Sequence, residues 1–418
     1  MIAKRFFLPI FLLFAMNVFG QSDLKNLGLG GFAELDHISY FKNIEGKING
    51  RNQAILQLEL DKSVNKSVSL FSAVEFREDF SDSSRSRTYL DEASIKINYG
   101  FFDLDIGKQI ITWGKADQIN PTDNLNPVDY SDVLDTEDET IGILAINSRF
   151  YINDWKLQGV FVPLFTTSVL PYKSNSRWFN GLDVPEMPFP YVLHMQEKKP
   201  KNDLSSCQYA FALYKTFSNW DISTNYYKGY SHEPAFEVSQ HFVSIDTISI
   251  DITHNFYKQQ IIGFDFSTSL QQIGLRGEAA YYMPEGTKTN VSYLQYVVGI
   301  DHNFSNVIGN NNLFVMVQWI QELAEGGFEF PNQDLNHLFQ KSVMTRLDFE
   351  LGASGSILLQ GIYNLKTSDY YFQPAIEYSL FDGLNLEMMC DILGGEEGGF
   401  FASYKDNNRI HLRLKYNF

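Results

Sequence analysis

Between residues 115 and 140 the chain reads KADQINPTDNLNPVDYSDVLDTEDET, where Asp117, Asp123, Asp129, Asp132, Asp135, Glu137, Asp138 and Glu139 face a single Lys115. Carboxylates gathered at a narrow passage attract cations and repel anions. As oxygen donors, Asp132, Asp135 and Glu137 also suit Ca²⁺, but the spacing and central glycine of an EF-hand are missing, so no metal is assigned. A stretch of this length without a secondary-structure pattern is functional or disordered. We expect Asp117, Asp123, Asp129, Asp132 and Asp135 to line a constriction, with a solvated external loop as the alternative.

A second stretch, residues 170–203, is rich in Pro, Met and aromatics. Trp178, Phe179, Met187, Phe189 and Tyr191 are costly to expose together. They imply packing within the loop, a lid, or a site for an apolar ligand. Enzyme motifs are otherwise missing: there is no HExxH, no CxxC and no P-loop, and GASGS at 352–356 lacks the last glycine of a nucleophile elbow. GLGGF at 28–32 does not complete a dinucleotide fingerprint. His254 and His302 leave open a Ser/His hydrolase recognisable only by geometry. We expect no enzyme and no cofactor. The formal net charge of −17 opposes nucleic-acid binding. Cys207 and Cys390 each fall in phase with apolar neighbours and are not expected to pair.

The elements that must position these stretches read as strands. The chain ends RIHLRLKYNF, in which Ile410, Leu412, Leu414, Tyr416 and Phe418 alternate with His411, Arg413, Lys415 and Asn417. Such a period-two pattern makes one apolar and one polar face. The rhythm recurs at Ala54–Leu60, around Val74 and Phe76, and in residues 343–351 and 386–392. The polar rows carry both charge signs, so Glu75, Arg77, Arg346, Asp348 and Glu350 are expected to face a lumen. Segments of about ten residues, apolar outward and polar inward, fit a lipid-exposed barrel. Short links recur at 65–66, 100, 153–154, 218–219, 271–272, 309–312, 354–356 and 382–383, alternating with longer polar connections. With both termini in the periplasm, these turns imply about 18 strands, an even number from 16 to 20. The extra strand-like run VSIDTISIDIT at 243–253 must then belong to an external loop. The fold class expected is all-β, a closed antiparallel transmembrane barrel with short periplasmic turns and long extracellular loops.

At the other end, Lys4 and Arg5 precede an apolar run from Phe6 to Phe19 and a small Gly20, which reads as a secretory signal peptide over residues 1–20. Residues 21–418 are then the barrel. In such barrels one long loop commonly folds into the lumen.

FFDLDIGKQIITWG at 101–114 followed by LNPVD at 125–129 resembles the G-[RK]-Q…W-G…N-P-x-D signature of a porin-like outer-membrane family related to alginate-export and phosphate-selective porins. The matching positions are Gly107, Gln109, Trp113, Gly114, Asn126, Pro127 and Asp129, with Lys108 where Arg is common. GVFVPLFTTSVLP at 159–171 with Trp178, and the hairpin from Ile261, extend the resemblance. It implies membrane transport in the outer membrane of a Gram-negative bacterium. The partners implied are outer-membrane lipid, a small solute, and the barrel assembly machinery, which reads a final strand ending in aromatics such as Tyr416 and Phe418. Phe418→Asp is expected to reduce the folded, heat-modifiable barrel in outer membranes severalfold without affecting secretion, because it places a charge in the lipid-facing row. Unchanged folded yield would contradict that role.

Overall fold

The computed structural model describes residues 27–135, 140–179, 190–244, 246–286, 291–330 and 337–418. The expected signal peptide at 1–20 lies outside these residues. Strands β1 (Leu29–Tyr40), β2 (Gly50–Ser63), β3 (Val68–Asp79), β4 (Arg87–Asn98) and β5 (Phe102–Gln109) lead to the acidic loop. After it come β6 (Ile143–Ile152) and β7 (Trp155–Val162), then β8 (Tyr191–Lys198) within the aromatic-rich loop. Next follow β9 (Gln208–Phe217), β10 (Trp220–Tyr230), β11 (Ala235–Phe242), β12 (Ile248–Asn255), β13 (Lys258–Leu270) and β14 (Ile273–Glu285). The remainder is β15 (Tyr293–Ile308), β16 (Asn311–Ala324), β17 (Lys341–Leu351), β18 (Gly355–Asn364), β19 (Asp369–Phe381), β20 (Leu384–Gly395), one helical turn α1 (Phe400–Ser403), and β21 (Arg409–Asn417).

All but β8, β11 and β12 form one 18-stranded antiparallel sheet, closed where β1 pairs with β21 from Phe32 opposite Asn417 to Tyr40 opposite Arg409. Closure answers a physical demand, since an unpaired backbone edge in hydrocarbon costs several kcal/mol per group. Every compact link read from the sequence is a hairpin turn at one end of the barrel. Two-residue turns at Asn153 and Gln271 adopt positive φ, 53° and 59°, the left-handed geometry of tight hairpins. Both chain ends of the barrel lie at this turn end. The long connections gather at the other end, where β12 pairs with β11 and β8 in a separate three-stranded sheet around Ile248, Ile250 and Ile252. The run at 243–253 therefore belongs to a loop, as the even strand count requires.

The polar rows point inward. Along β21, Arg409, His411 and Arg413 are buried while Leu412 is 39% exposed; along β3, Glu75 and Arg77 are buried and Phe76 is 41% exposed. A protein in water would reverse this, so the outward apolar row calls for lipid. On β17, Arg346 and Asp348 share the inward side and pair at 3.4 Å, whereas Leu347 points out. Glu350 sits exposed near the turn end, accepting from the Asn312 amide at 3.2 Å. Cys207 and Cys390 are free thiols. In a background lacking both, Asp348→Cys should react with a membrane-impermeant maleimide about ten-fold faster than Leu347→Cys, because only the first faces the lumen. Equal rates would overturn the register.

Candidate functional site: a loop pinned inside the barrel

After β5 the chain does not stay outside. Residues 110–135 run into the lumen because the wall there is built to receive them. The inward rows of β6, β7, β9 and β14 offer Ala145, Val160, Ala210, Ala212 and Ala280, small enough to leave room for Ile111, Trp113 and Leu125 of the loop. Trp113 is 4% exposed, and its indole N–H donates to Gln158 Oε1 at 3.3 Å. Burying an indole of this size contributes roughly 2–3 kcal/mol.

Polar contacts set the loop's path. Glu278, an inward residue of β14, accepts from the backbone N–H groups of Lys115 and Ala116, from the Thr122 N–H at 3.4 Å and from the Thr122 hydroxyl at 2.9 Å. Gly114 has φ +103°, and a Cβ there would stand 2.5 Å from Glu278 Oε1, so only glycine lets the backbone reach the carboxylate. Asn126 joins the loop's two ends: its amide donates to the carbonyls of Gln109 (3.2 Å) and Ile141 (2.8 Å) and accepts from Ile111 N–H at 2.9 Å. The Pro127 carbonyl accepts from Ile141 at 2.9 Å. Gln109 itself donates to the Asp105 and Ala145 carbonyls at 3.1 and 3.0 Å. At Gly107, φ +139°, a Cβ would collide with the Ala93 carbonyl of the neighbouring strand. Gly107, Gln109, Trp113, Gly114, Asn126 and Pro127 of the G-K-Q…W-G…N-P-x-D pattern thus help start, turn or hold this loop.

The five expected constriction carboxylates all lie on the loop; Asp132 and Asp135 meet on Arg51, while the other three have separate partners. Asp117 pairs through its backbone with the Gln318 amide of β16. Asp123 accepts from Trp113 N–H at 3.2 Å; burial lifts its carboxyl to about 7, with the charge of Glu278 adding to the rise. Asp129 meets Arg87 at 3.2 Å, and Arg87 in turn meets Glu75 at 3.2 Å, which Arg77 holds at 2.7 Å. Asp132 receives Arg51 (3.0 Å), Arg409 (2.6 Å) and the Trp178 indole (3.0 Å), while Asp135 receives Arg51 at 2.9 Å. Burial opposes the charge on Asp132 and Asp135, but the guanidinium groups outweigh it and hold both below the usual carboxylate range. Arg51 and Arg409 reach on to Asp36 and Asp391, at 2.9 and 2.5 Å.

The loop carboxylates are thus paired with wall arginines and do not face Lys115 alone. The counter-charges come from β2, β4 and β21, far away in sequence, where a local count against Lys115 could not register them. The signal available was the row of arginines on the polar faces of the first and last strands. Glu278 carried no distinguishing signal within its own strand. Of the loop aromatics, Trp178 packs on Tyr404 with ring centroids 5.2 Å apart, and Phe179 lies 6.0 Å from Tyr172. Tyr191 does not pack inward: it is 47% exposed on β8. Phe189, Met187 and Glu137–Glu139 lie outside the described residues. Tyr416 faces outward beside Phe418, whose N–H donates to Gly31 O at 3.0 Å across the closing seam.

On the turn side of the loop two charged cavities remain. One, about 330 Å³, is lined by Glu34, Glu59, Asp91, Asp129, Arg87 and Lys415 among others. The other, about 480 Å³, is lined by Lys96, Arg149, Lys156, Asp105, Asp265 and Trp113 among others. Glu278→Leu should lower the unfolding free energy of the barrel, read from urea denaturation, by about 2–4 kcal/mol, since it strands buried donors, and Glu278→Gln by less, because one acceptor oxygen remains. Identical midpoints for Glu278→Leu and wild type would contradict the anchor.

Among solved structures with a similar chain course is a loop L8 deletion mutant of OmpT, an outer membrane protein of Vibrio cholerae, with TM-score 0.46 and 11% identity over 93% of this chain and 98% of that one. Another is the E1M, A116K mutant of the porin of Rhodopseudomonas blastica, with TM-score 0.43 and 11% identity over 93% and 99%. No curated protein sequence matches the chain. Residues 77–325, which include the whole in-folded loop and its Glu278 anchor, match the family described as Protein of unknown function (DUF1302), and the chain belongs to that family.

Proposed function

We propose that this barrel is a porin-like conduit of the outer membrane of a Gram-negative bacterium, passing small solutes past the in-folded loop as a passive channel or as part of an export or uptake route. The observation that carries the reading is the loop itself, held in the lumen by Glu278, Asn126 and the arginines of the wall, with charged cavities left beside it. A lumen-spanning constriction with polar walls is what a selective passage requires. The kinship to alginate-export and phosphate-selective porins, the leader at residues 1–20 and delivery by the barrel assembly machinery belong to the same proposal.

The reading is non-catalytic and needs no cofactor. Two histidine contacts support this reading over a barrel-embedded lipid hydrolase: His302 Nδ1 meets the Gln272 carbonyl at 2.8 Å, and His254 packs against Phe236 at 5.0 Å in the outer sheet. A loop-plugged binding barrel is the second reading, favoured by the cross-lumen ties of Asp132 to Arg51, Arg409 and Trp178.

Planar-bilayer conductance of the refolded protein decides between them. The conduit reading expects discrete, voltage-tolerant openings; the plugged reading expects none. Asp129→Asn combined with Glu59→Gln removes two carboxylates from the cavity wall. It should lower the cation-to-anion permeability ratio about two- to three-fold at low salt, fading as ionic strength rises. Openings with unchanged selectivity would remove the 330 Å³ cavity from the ion path.

A further inference from the structure

On the far side of the loop, toward the long connections, lies a third cavity of about 520 Å³. It is unlike the other two. Its walls include Ile119 and Val133 of the loop, Met344 and Ile362 of β17 and β18, and Leu338 and Phe339 of the β16–β17 connection; Tyr371 of β19 and Phe401 of α1 complete it. These residues belong to an apolar cluster inside the barrel, separate from the apolar patch of wall that seats Ile111, Trp113 and Leu125. Lumen faces of membrane barrels are ordinarily polar. Packed interiors also hold few voids larger than one water, whose share of liquid volume is about 30 Å³. An apolar chamber of this size is a misfit both as a water path and as a packed core. Its volume does fall in the range of small-molecule sites, roughly 300–1,000 Å³.

The polar groups in the chamber favour a particular partner. Asn120 and Asp123 of the loop both line it, and Asn120 Oδ1 is buried without a hydrogen-bond partner. Such an oxygen is costly to leave unmet, and a turn of the Asn120 side chain toward the chamber would let a donor brought in from outside satisfy it. Glutamine amides fill the remaining polar edge, Gln118 Nε2 donating to Gln360 Oε1 at 2.8 Å and Gln360 Nε2 to Gln373 Oε1 at 2.6 Å, so Gln360 is already engaged. Thr112 and Thr140 border this chamber and also line one of the charged cavities each, so only the in-folded loop stands between them.

We propose that this chamber is a binding site for a small, neutral, largely apolar solute of roughly one to three rings that carries a hydroxyl or amine donor for Asn120 Oδ1. The inference rests on the conduit reading and deepens it by naming a solute class: the solute is held in the apolar chamber before or after it passes the loop.

The test is calorimetric titration of 1-naphthol into the protein in lipid nanodiscs, with empty nanodiscs subtracted, alongside 1-methoxynaphthalene, which lacks the donor. Wild type should bind 1-naphthol saturably at one site and the methoxy compound about five-fold more weakly, the share of one hydrogen bond. Leu338→Trp, which fills the chamber, should weaken both at least ten-fold while heat-modifiability shows a folded barrel. Asn120→Leu should retain binding and abolish the difference between the two probes. Absence of saturable binding, including the case of a lipid tail already filling the chamber, overturns the proposal, as does unchanged binding in Leu338→Trp. Equal affinities for the two probes in wild type overturn the donor-selecting role of Asn120. Bilayer conductance without naphthol is scored separately: openings without binding leave the conduit reading standing alone, and binding without openings leaves a binding chamber in a plugged barrel.

Discussion

Four donors from one loop meet a single carboxylate inside the barrel: the N–H groups of Lys115, Ala116 and Thr122, and the Thr122 hydroxyl, all on Glu278. An ionised carboxylate taken out of water is tolerable only when its lone pairs are met, and hydrogen bonds to a charged acceptor contribute about 1.5–3 kcal/mol each. Backbone donors are equally intolerant of burial without partners. Each side therefore requires the other, and the requirement places a segment that would otherwise be an external loop in the lumen. Gly114 is the steric condition for this contact, since any side chain there would take the place of the carboxylate.

The arginine network completes the constraint from the opposite wall. Arg51 and Arg409 each bridge a loop carboxylate to a strand carboxylate, Asp36 through Asp132 to Asp391, and Trp178 closes the same group from the second long loop. Planar guanidinium groups suit this role because one side chain can serve several carboxylates at fixed angles. Such a buried network is weak support for stability as such, since desolvation offsets much of the Coulomb gain. It is a strong determinant of position, because removing one member leaves a buried charge unpaired. The loop is thus tied to β14 on one side and to β2 and β21 on the other, and it partitions the lumen into charged cavities and an apolar chamber.

The barrel was legible in the sequence because its physics is local. Alternation such as Ile410, Leu412 and Leu414 against His411 and Arg413 states which face meets lipid, and short turns against long loops state the strand count and which end is which. The in-folded loop was half legible. Its length and its Trp113-Gly114 and Asn126-Pro127 pairs marked it, and the structure gives each a contact. Its electrostatics were not legible, because the partners of Asp129, Asp132 and Asp135 lie on strands more than forty residues away along the chain or at its opposite end. Charge patterning within a loop describes its neighbours in sequence, whereas a closed barrel brings its first and last strands together. The apolar chamber was invisible for the same reason: Ile119, Met344, Ile362 and Phe401 share no segment.

Hydrogen exchange of the folded protein in lipid, followed by mass spectrometry over residues 113–126, tests the placement of the loop most directly. The account predicts that peptides reporting the amides of Lys115, Ala116 and Thr122 exchange as slowly as those of β14, because these donors are held on Glu278 within the barrel. Exchange at the rate of an unstructured external loop, with β14 protected, would contradict it and return the segment to the cell surface.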